Sequence, residues 1–244
     1  ATLAQTPDIT QEELDDANSM VNDALLQGTS NIRQAADRAA VDGAKANGET
    51  TINAVNAFVN AKQDARDAIT QAANQRKATF PNVNAATTEE QQAATDKVDA
   101  LVTDANNKIA NVTHNAEVDQ IKNETINAIN QVEPQAVQKA NALATIKEKQ
   151  DQQTYLINNE VNATSEEKEA ALQALNQAVT NANNEINAAT TNAEVATALQ
   201  NGETNITNAV PDTTTKGDAK AEVEQAANNQ SNLIDQNQDA TTEE

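Results

Sequence analysis

The sequence lacks cysteine and tryptophan, and among its 244 residues it has one tyrosine, two phenylalanines and one histidine. Without cysteine the chain cannot form a disulfide, a cysteine-ligated zinc site or a thiolate nucleophile. Because aromatic side chains usually supply the largest buried areas, any core must be thin and built from Ala, Val, Ile and Leu. The sequence also contains no apolar run long enough to span a membrane, so we expect no membrane insertion of this part.

Positive charge is scarce, with 16 Lys and Arg against 37 Asp and Glu and a net charge of −21. A protein that binds nucleic acid needs a basic surface to displace counterions, so we expect no nucleic-acid partner. Self-repulsion at this charge favours a soluble, extended monomer. The same composition is compatible with a disordered, solvated chain, and the residue pattern has to decide between the two.

The chain is built from a 77-residue tandem repeat. A Thr-x-Glu-Glu motif occurs at the same point of each period, at positions 10–13, 87–90, 164–167 and 241–244. The same step relates apolar residues along the whole unit, including Ile32, Ile109 and Ile186; Leu25, Val102 and Val179; Val41, Val118 and Val195; Ile52, Ile129 and Ile206; Ala65, Ala142 and Ala219; Ile69, Ile146 and Val223; and Leu3, Phe80, Ile157 and Ile234. Acidic pairs alone could be coincidence, but the matching apolar positions establish the repeat.

This period divides the sequence into residues 1–8, the end of a preceding repeat; three repeats at 9–85, 86–162 and 163–239; and residues 240–244, the start of a following repeat. We therefore expect the chain to come from a longer array. One irregularity stands out in the middle unit. Glu124 is the sixth residue after Val118, whereas in the other units the corresponding glutamate is the eighth residue after the valine. This spacing predicts that the middle unit loses two residues there and regains them before Pro134.

Each unit is predicted to form three helices. The Thr-x-Glu-Glu motif is a capping box that opens the first helix, whose apolar stripe then follows at helical spacing, as in Val98, Val102, Ala105 and Ile109. A second helix covers 118–132, and a third is expected to begin at the proline, Pro134 or Pro211. Short helices with one apolar stripe each are stable only when packed together. The predicted fold class is therefore all-α, with tandem 77-residue three-helix-bundle repeats joined end to end into an elongated rod.

Segments of the third unit resemble a known repeat family: residues 163–172, 182–186, 191–195 and 202–206. The family is the Ala- and Asn-rich helical repeat, long a domain of unknown function, of staphylococcal and related Gram-positive cell-wall-anchored surface proteins such as SasC, FmtB and Ebh. The first unit departs most, with Gly28 in place of Ala105 and Ala182, and with Asp42-Gly43 weakening its second helix. The resemblance implies a surface stalk in proteins of adhesion, aggregation and biofilm formation, and it supplies no catalytic or ligand residues.

The residues that could suggest a site have simpler explanations. His114 is the only histidine and has no partner at metal-ligand spacing, so a surface or turn position is expected. The Glu pairs recur at every first helix, which indicates capping and interaction with the helix dipole. Asp235, Asn237 and Asp239 resemble the start of a calcium loop, but Ala240 replaces the required glycine. We predict no catalytic, cofactor-binding or metal-binding residues.

Two further sets remain open at this stage. Lys62, Lys139 and Lys216 recur at the 77-residue step. They could lie along the third helix, pair with the acidic first helix, or form a basic ligand-binding row. Phe80 occupies a repeating apolar position and is expected in the core, whereas Phe58 and Tyr155 are undecided.

The leading functional hypothesis is a structural stalk of a bacterial cell-surface adhesin that projects a binding domain away from the cell wall. It would be extracellular and anchored to the wall through parts outside this sequence, with the flanking repeats as its partners. The alternative is weak, multivalent binding of a host matrix or serum protein, or of neighbouring cells, by the repeats themselves. An enzyme is not expected, because no nucleophile–base pair, phosphate loop or metal constellation is visible.

Overall fold

The computed structural model describes residues 3–236, and in this range every regular element is helical and no strand occurs. The α-helices are α1 (Gln11–Gln34), α2 (Arg38–Asn53), α3 (Ala61–Lys77), α4 (Thr88–Asn111), α5 (Asn115–Asn130), α6 (Gln138–Asn159), α7 (Ser165–Ala188), α8 (Asn192–Thr207) and α9 (Thr214–Asp235). Two 3-10 turns lie at Leu3–Gln5 and Phe80–Asn82. The all-α prediction is confirmed.

The second helices show that the repeat keeps its register. Helices α2, α5 and α8 each have 16 residues, and they begin at Arg38, Asn115 and Asn192, always one 77-residue period apart. The prediction that the middle unit loses two residues is therefore wrong. A two-residue deletion inside a helix would rotate its apolar face, and Val118 and Ile129 of α5 are both buried. Glu124 is a residue of α5 that has no acidic equivalent in the neighbouring units.

The prolines lie before the third helices and not at their first turn. Helix α6 begins at Gln138, four residues after Pro134, and α9 begins at Thr214, three residues after Pro211. The prediction that these prolines start the helices is wrong. Proline fixes its own φ and disfavours the helical conformation in the residue before it, which suits an extended connector after α5 and after α8.

The chain divides into two compact units, and each is described by itself. Unit 1 contains residues 3–83 and 91–134, and unit 2 contains residues 84–90 and 135–236. In unit 2, α6, α7 and α8 each pack on the other two. They share one core, made of Ala142, Ile146, Ile157, Ala171, Leu175, Val179, Ala182, Ile186, Ala189, Val195, Ala198, Ile206 and Ala209. Each fully buried Ile or Leu contributes roughly 1.5–3 kcal/mol, which stabilises helices that would be marginal alone.

Unit 1 contains an equivalent group. Helices α3 and α5 pack together, and they share a core with residues 91–111 of α4. This core is made of Ala65, Ile69, Ala73, Phe80, Ala94, Val98, Ala105, Ile109, Val118, Ile129 and Val132. The prediction that Phe80 is a core residue is confirmed, since its side chain is 2% exposed. Helices α1 and α2 of the same unit pack on each other.

In both groups, the third helix of one 77-residue repeat, called a sequence unit below, packs on the first two helices of the next repeat. Helix α3 joins α4 and α5, and α6 joins α7 and α8. Neighbouring sequence units are therefore tied together by core packing as well as by the peptide chain. The repeats defined from the sequence begin at residues 86 and 163, whereas the packed helix groups begin with α3 and α6. The two divisions therefore start at different points of the same 77-residue period.

Candidate functional site

In the three Thr-x-Glu-Glu motifs within residues 3–236, the second glutamate caps two helices at once. In the first copy, the backbone N–H of Thr10 donates to Glu13 Oε2 (2.9 Å), and Glu13 N donates to Thr10 Oγ1 (3.4 Å), which closes the predicted capping box of α1. The other oxygen, Glu13 Oε1, accepts hydrogen bonds from the backbone N–H groups of Asn60 (2.7 Å) and Ala61 (2.9 Å) at the start of α3. One carboxylate thus satisfies backbone donors that two helix ends leave without partners.

The later copies repeat this arrangement. Glu90 closes a capping box with Thr87 and accepts from the backbone N–H groups of Val137 (2.8 Å) and Gln138 (3.0 Å) at the start of α6. Glu167 closes the box of α7 with Thr164, and its second oxygen accepts from Thr215 N (3.4 Å) in the first turn of α9. The prediction that the Glu pairs are capping residues is confirmed for these second glutamates.

The first glutamate of the motif caps a helix much further along the chain. Glu12 Oε2 accepts from the backbone N–H of Asn115 (3.0 Å), the first residue of α5, in unit 1. Glu89 Oε2 accepts from Asn192 N (3.0 Å), the first residue of α8, in unit 2. A carboxylate at a helix N-terminus also interacts favourably with the helix dipole. The pairs Glu12–Glu13 and Glu89–Glu90 therefore each link the start of three helices.

The recurring lysines satisfy the opposite kind of helix end. Lys62 is 5% exposed, and its Nζ donates to the carbonyl oxygen of Ala110 (3.3 Å) in the last turn of α4. Lys139 is 7% exposed, and its Nζ donates to the carbonyl oxygens of Asn187 (3.0 Å) in α7 and of Asn84 (2.9 Å). Cations are favoured at helix C-termini, where the last carbonyl groups have no partner within the helix. The lysines thus bind backbone carbonyls and not the acidic side chains of the first helix, and burial of these two makes them unsuitable for a basic ligand-binding row.

We call this arrangement the joint, defined by the Thr-x-Glu-Glu motif at 10–13 or 87–90 together with Lys62 or Lys139, respectively. Each joint lies within one unit. It connects the start of a first helix to the third helix of its own sequence unit and to the second helix of the next. The sequence indicated the capping box, but contacts over 47, 48 and 103 residues could not be derived from it.

The other end of each helix group is also tied by a side chain at a repeating position. Arg76 Nε donates to the carbonyl oxygen of Val132 (2.6 Å) after α5, and its guanidinium lies 5.7 Å from the ring centre of Phe80. One period later, Gln153 Nε2 donates to the carbonyl oxygen of Ala209 (2.9 Å) after α8. Sequence reasoning missed this pair. The available signal was the polar residue that recurs at positions 76, 153 and 230 within a helical apolar stripe.

The joint carboxylates are held in their ionised form. The backbone N–H of Asn192 lowers the pKa of Glu89, and that of Asn115 lowers the pKa of Glu12. For Glu13 and Glu90, burial alone would raise the pKa, but several backbone N–H donors outweigh it and the pKa of each is lowered. Hydrogen bonds to the charged form of a carboxylate produce this direction of shift.

The remaining candidate residues are not brought together into a reactive site. His114 precedes α5, is exposed, and its Nδ1 lies 3.0 Å from Glu12 Oε1. Phe58 and Tyr155 are 71% and 68% exposed. Asp235 ends α9, while the rest of the calcium-like segment lies outside the described residues. Within residues 3–236, no group of three or more His, Asp or Glu side chains could hold a metal ion, and no helix is long and apolar enough to cross a membrane.

The comparison with protein families identifies the repeat. Three consecutive segments, residues 1–60, 61–137 and 138–214, match the family described as Domain of Unknown Function (DUF1542). The chain belongs to the DUF1542 family. The second and third DUF1542 segments contain the helix groups α3–α5 and α6–α8. They begin at Ala61 and Gln138, the residues whose backbone N–H groups are capped by Glu13 and Glu90.

Known relatives of these DUF1542 repeats occur in large staphylococcal proteins. The chain is 27% identical over 253 residues to the extracellular matrix-binding protein EbhA of Staphylococcus aureus strain Mu3, an alignment that covers 99% of this chain and 4% of the relative. It is equally similar to the extracellular matrix-binding protein ebh of strain JH9, of which it covers 2%. The chain therefore spans a small fraction of the relatives it matches. No solved structure matches the chain significantly.

Proposed function

We propose that this chain is part of a stalk of a bacterial cell-surface adhesin, which projects a binding region away from the cell wall during adhesion or biofilm formation. The observation that carries the proposal is the repeated joint. Each joint uses the same residues to cap helices of two successive 77-residue repeats, and within each compact unit the core packing joins helices of two successive repeats. A chain with this purpose needs regular spacing and resistance to bending, and it needs no reactive site.

The connectors support the same proposal. Only three residues separate α1 from α2, α4 from α5 and α7 from α8. In the joint of unit 1, the connector that precedes α3 ends on the two N–H groups capped by Glu13. Connectors this short hold the first and second helices of each repeat close together.

Location and partners follow from the relatives and are likewise proposed. The relatives are named as extracellular matrix-binding proteins of S. aureus, which favours an extracellular position on a bacterial surface. In the proposed stalk, attachment to the cell wall is made by other parts of the protein, and the immediate partners of each repeat are its flanking repeats. We assign no catalytic role to the chain, and the proteins it resembles are named for binding.

Small-angle X-ray scattering on the purified chain tests the stalk. A helix of 24 residues is about 36 Å long at 1.5 Å per residue, so three units joined end to end span roughly 110 Å. We expect a maximum dimension near that value with a rod-like cross-section. The double variant Glu13→Ala/Glu90→Ala should become shorter on average because its joints bend, whereas Glu148→Ala/Glu169→Ala, which removes the same charge from α6 and α7, should not. A compact particle about 50 Å across would overturn the proposal.

Direct, weak and multivalent binding of matrix is a second candidate function. It is favoured by the names of the relatives and by the exposed aromatic side chains of Phe58 and Tyr155, since Tyr is enriched among residues that dominate binding energy. The chain displayed at high density on beads should then bind extracellular matrix proteins, and Phe58→Ala/Tyr155→Ala should bind less. Absence of binding at the highest display density would remove this candidate and leave the stalk unaffected.

A further inference from the structure

The connector between α2 and α3 contains backbone groups that have no hydrogen-bond partner in the protein. Residues 55–60 have no regular secondary structure. Within residues 3–236, neither the backbone N–H groups nor the carbonyl groups of residues 56–59 are hydrogen-bonded to another part of the chain. The side chain of Phe58 in this segment is 71% exposed. A segment with free backbone groups can pair with a partner as an added β-strand, and endopeptidases bind their substrates in this way.

The exposure of position 58 is a property of the repeat. The equivalent residues Gln135 and Asp212 are also exposed. They follow α5 and α8, and each of these helices packs in a group that includes a third helix. A neighbouring repeat thus leaves this position accessible, so we expect Phe58 to be accessible also when further repeats precede α1.

Phe58 gives this connector a residue that an endopeptidase can recognise. Many endopeptidases select the residue before the bond that they cut by means of a side-chain pocket, and an apolar pocket selects large apolar side chains. Phe58 is such a residue, whereas its equivalents Gln135 and Asp212 are polar. Sequence and backbone exposure therefore coincide at this one connector among the three that precede α3, α6 and α9.

We propose that the peptide bond between Phe58 and Val59 is a cleavage site for an endopeptidase whose primary pocket accepts a large apolar side chain. The reaction is a hydrolysis in which the C–N bond of the amide breaks. The oxygen of water adds to the carbonyl carbon of Phe58, which becomes a carboxylate, and the nitrogen of Val59 leaves as an ammonium group. The inference goes beyond the proposed stalk, because it assigns the stalk a point at which it can be cut.

The joint holds the two products together after the cut. Val59 lies directly before Asn60, whose backbone N–H donates to Glu13 Oε1 in the N-terminal product. The new ammonium group therefore forms one residue away from a group that this carboxylate binds. Glu12, also in the N-terminal product, accepts from the backbone N–H of Asn115 in the C-terminal product. The cut stalk thus stays assembled while the joint is closed, and the part that ends at Phe58 is released when the joint opens.

The same joint restrains one side of the cleavage site before the cut. The backbone N–H groups of Asn60 and Ala61, two and three residues after Phe58, donate to Glu13 Oε1. These groups cannot pair with an endopeptidase until the carboxylate releases them. Glu13→Ala should therefore be cut after Phe58 at least about fivefold faster than the unchanged chain. Glu169→Ala, which removes an exposed carboxylate from α7, should be cut at the unchanged rate.

Limited proteolysis of the intact, folded chain with chymotrypsin tests the proposal, with the products identified by mass spectrometry. Tyr155 is a matched control within the same chain, since its side chain is 68% exposed but its backbone belongs to α6. The native chain should be cut after Phe58 at least about 100-fold faster than after Tyr155, because α6 has to unfold locally before it can be cut. In urea, where the helices are unfolded, the two bonds should be cut at similar rates.

Three variants separate the connector from its surroundings. Val59→Pro keeps the Phe58 side chain but converts the bond into a proline amide without an N–H, and cleavage after Phe58 should be lost. Phe58→Gln, which introduces the residue of the equivalent position 135, should also lose it. Gln135→Phe should gain a second site after position 135 in a group that has its third helix. Circular dichroism checks that each variant is folded.

Size-exclusion chromatography of the cut chain tests the role of the joint. The two products should elute together, whereas those of a Glu12→Ala/Glu13→Ala variant should separate. Equal cutting after Phe58 and Tyr155 in the native chain, or a bond after Phe58 that stays intact while other bonds are cut, overturns the proposed site. Absence of the second cut in Gln135→Phe would attribute cleavage to the surroundings of α1 and α2, and would overturn the proposal for a longer array.

Discussion

The ammonium group of Lys139 donates a 3.0 Å hydrogen bond to the carbonyl oxygen of Asn187, one residue before the end of α7. The same group donates to the carbonyl oxygen of Asn84. A buried charge is costly unless it is well hydrogen-bonded, and these two carbonyls together with the helix dipole offset that cost. These contacts tie a third helix to the first helix of the following repeat and to the connector that precedes α4, the first helix of its own repeat.

Replacement of this lysine should destabilise unit 2. Lys139→Met keeps the length of the side chain but leaves two carbonyl groups without their charged donor. We expect a loss of about 1–3 kcal/mol in the free energy of unfolding, measured by urea denaturation. Lys147→Met removes an exposed lysine of the same helix that pairs with Asp151, and its effect should stay within about 0.5 kcal/mol. Equal effects of the two substitutions would contradict the role assigned to Lys139.

Two glycines in equivalent second helices should respond to alanine with opposite signs. A Cβ on Gly202 would lie 2.6 Å from Ala182 Cβ and 2.8 Å from Ile146 Cδ1, so the helices would have to move apart. Gly202→Ala should therefore cost about 1–3 kcal/mol despite the better helix propensity of alanine. A Cβ on Gly43 meets nothing within 4 Å, and Gly43→Ala should stabilise α2 by roughly 0.5–1 kcal/mol. Thermal unfolding followed by circular dichroism distinguishes the two directions.

Because the joint carboxylates have lowered pKa values in the folded chain, we expect the chain to lose stability in acid. The pKa of Glu90 is lowered in the folded chain relative to its ordinary value of 4.5. The ionised Glu90 carboxylate therefore contributes to the free energy of unfolding at pH values above 4.5. The contribution is lost as the pH falls through the lower, folded-state pKa, because the folded state then has to take up a proton that the unfolded state already carries. Glu90→Gln should lower stability at pH 7 and should reduce the pH dependence below 4.5.

A control separates this effect from the general charge of the chain. Glu169→Gln removes one negative charge from the exposed surface of α7. Glu90→Gln should therefore destabilise the chain more than Glu169→Gln at pH 7, and the difference between the two variants should shrink as the pH is lowered. Denaturant midpoints measured across the acid range provide the comparison. A constant difference at every pH would show that the carboxylate of Glu90 is not responsible.

The cost of truncating an isoleucine should depend on whether a third helix covers it. Ile186 in α7 is 0% exposed, and Ile186→Ala should cost about 2–5 kcal/mol through lost burial and the cavity left behind. Its equivalent Ile32 in α1 is 38% exposed, and Ile32→Ala should cost roughly 1 kcal/mol or less. Hydrogen exchange of α7 and α1 amides reports each effect locally. Similar losses at the two positions would mean that α1–α2 is covered in solution.

The sequence predicted the helical repeat well because its signals are local or strictly periodic. Thr10 and Glu13 are three residues apart, so their capping box could be recognised without knowledge of the fold. The 77-residue apolar step likewise identified buried positions such as Ile109 and Ile146. The contacts of Glu12 with Asn115 and of Lys139 with Asn187 could not be predicted from the sequence, since they depend on which helices pack together.

Two errors have physical explanations. A single acidic residue, Glu124, suggested a deletion because it was aligned with acids of other units, but surface charges on a helix are free to differ between repeats. Pro134 suggested a helix start because proline is favoured at the first helical position, but it is equally suited to an extended connector. In both cases the apolar positions, such as Val118 and Ile129, showed the correct register of the repeat, because burial constrains which residues can occupy them.

The use of fixed separations in every joint has a consequence for how such genes can change. Glu90 reaches Val137 and Gln138 over 47 and 48 residues, and Glu89 reaches Asn192 over 103 residues. Recombination between copies that adds or removes whole periods leaves each of these partners in place, wherever the crossover occurs. A one-residue insertion inside a helix instead turns every following side chain by about 100° and separates the partners. Packing of this kind therefore tolerates changes in repeat number, whereas it requires the length of the individual repeat to stay constant.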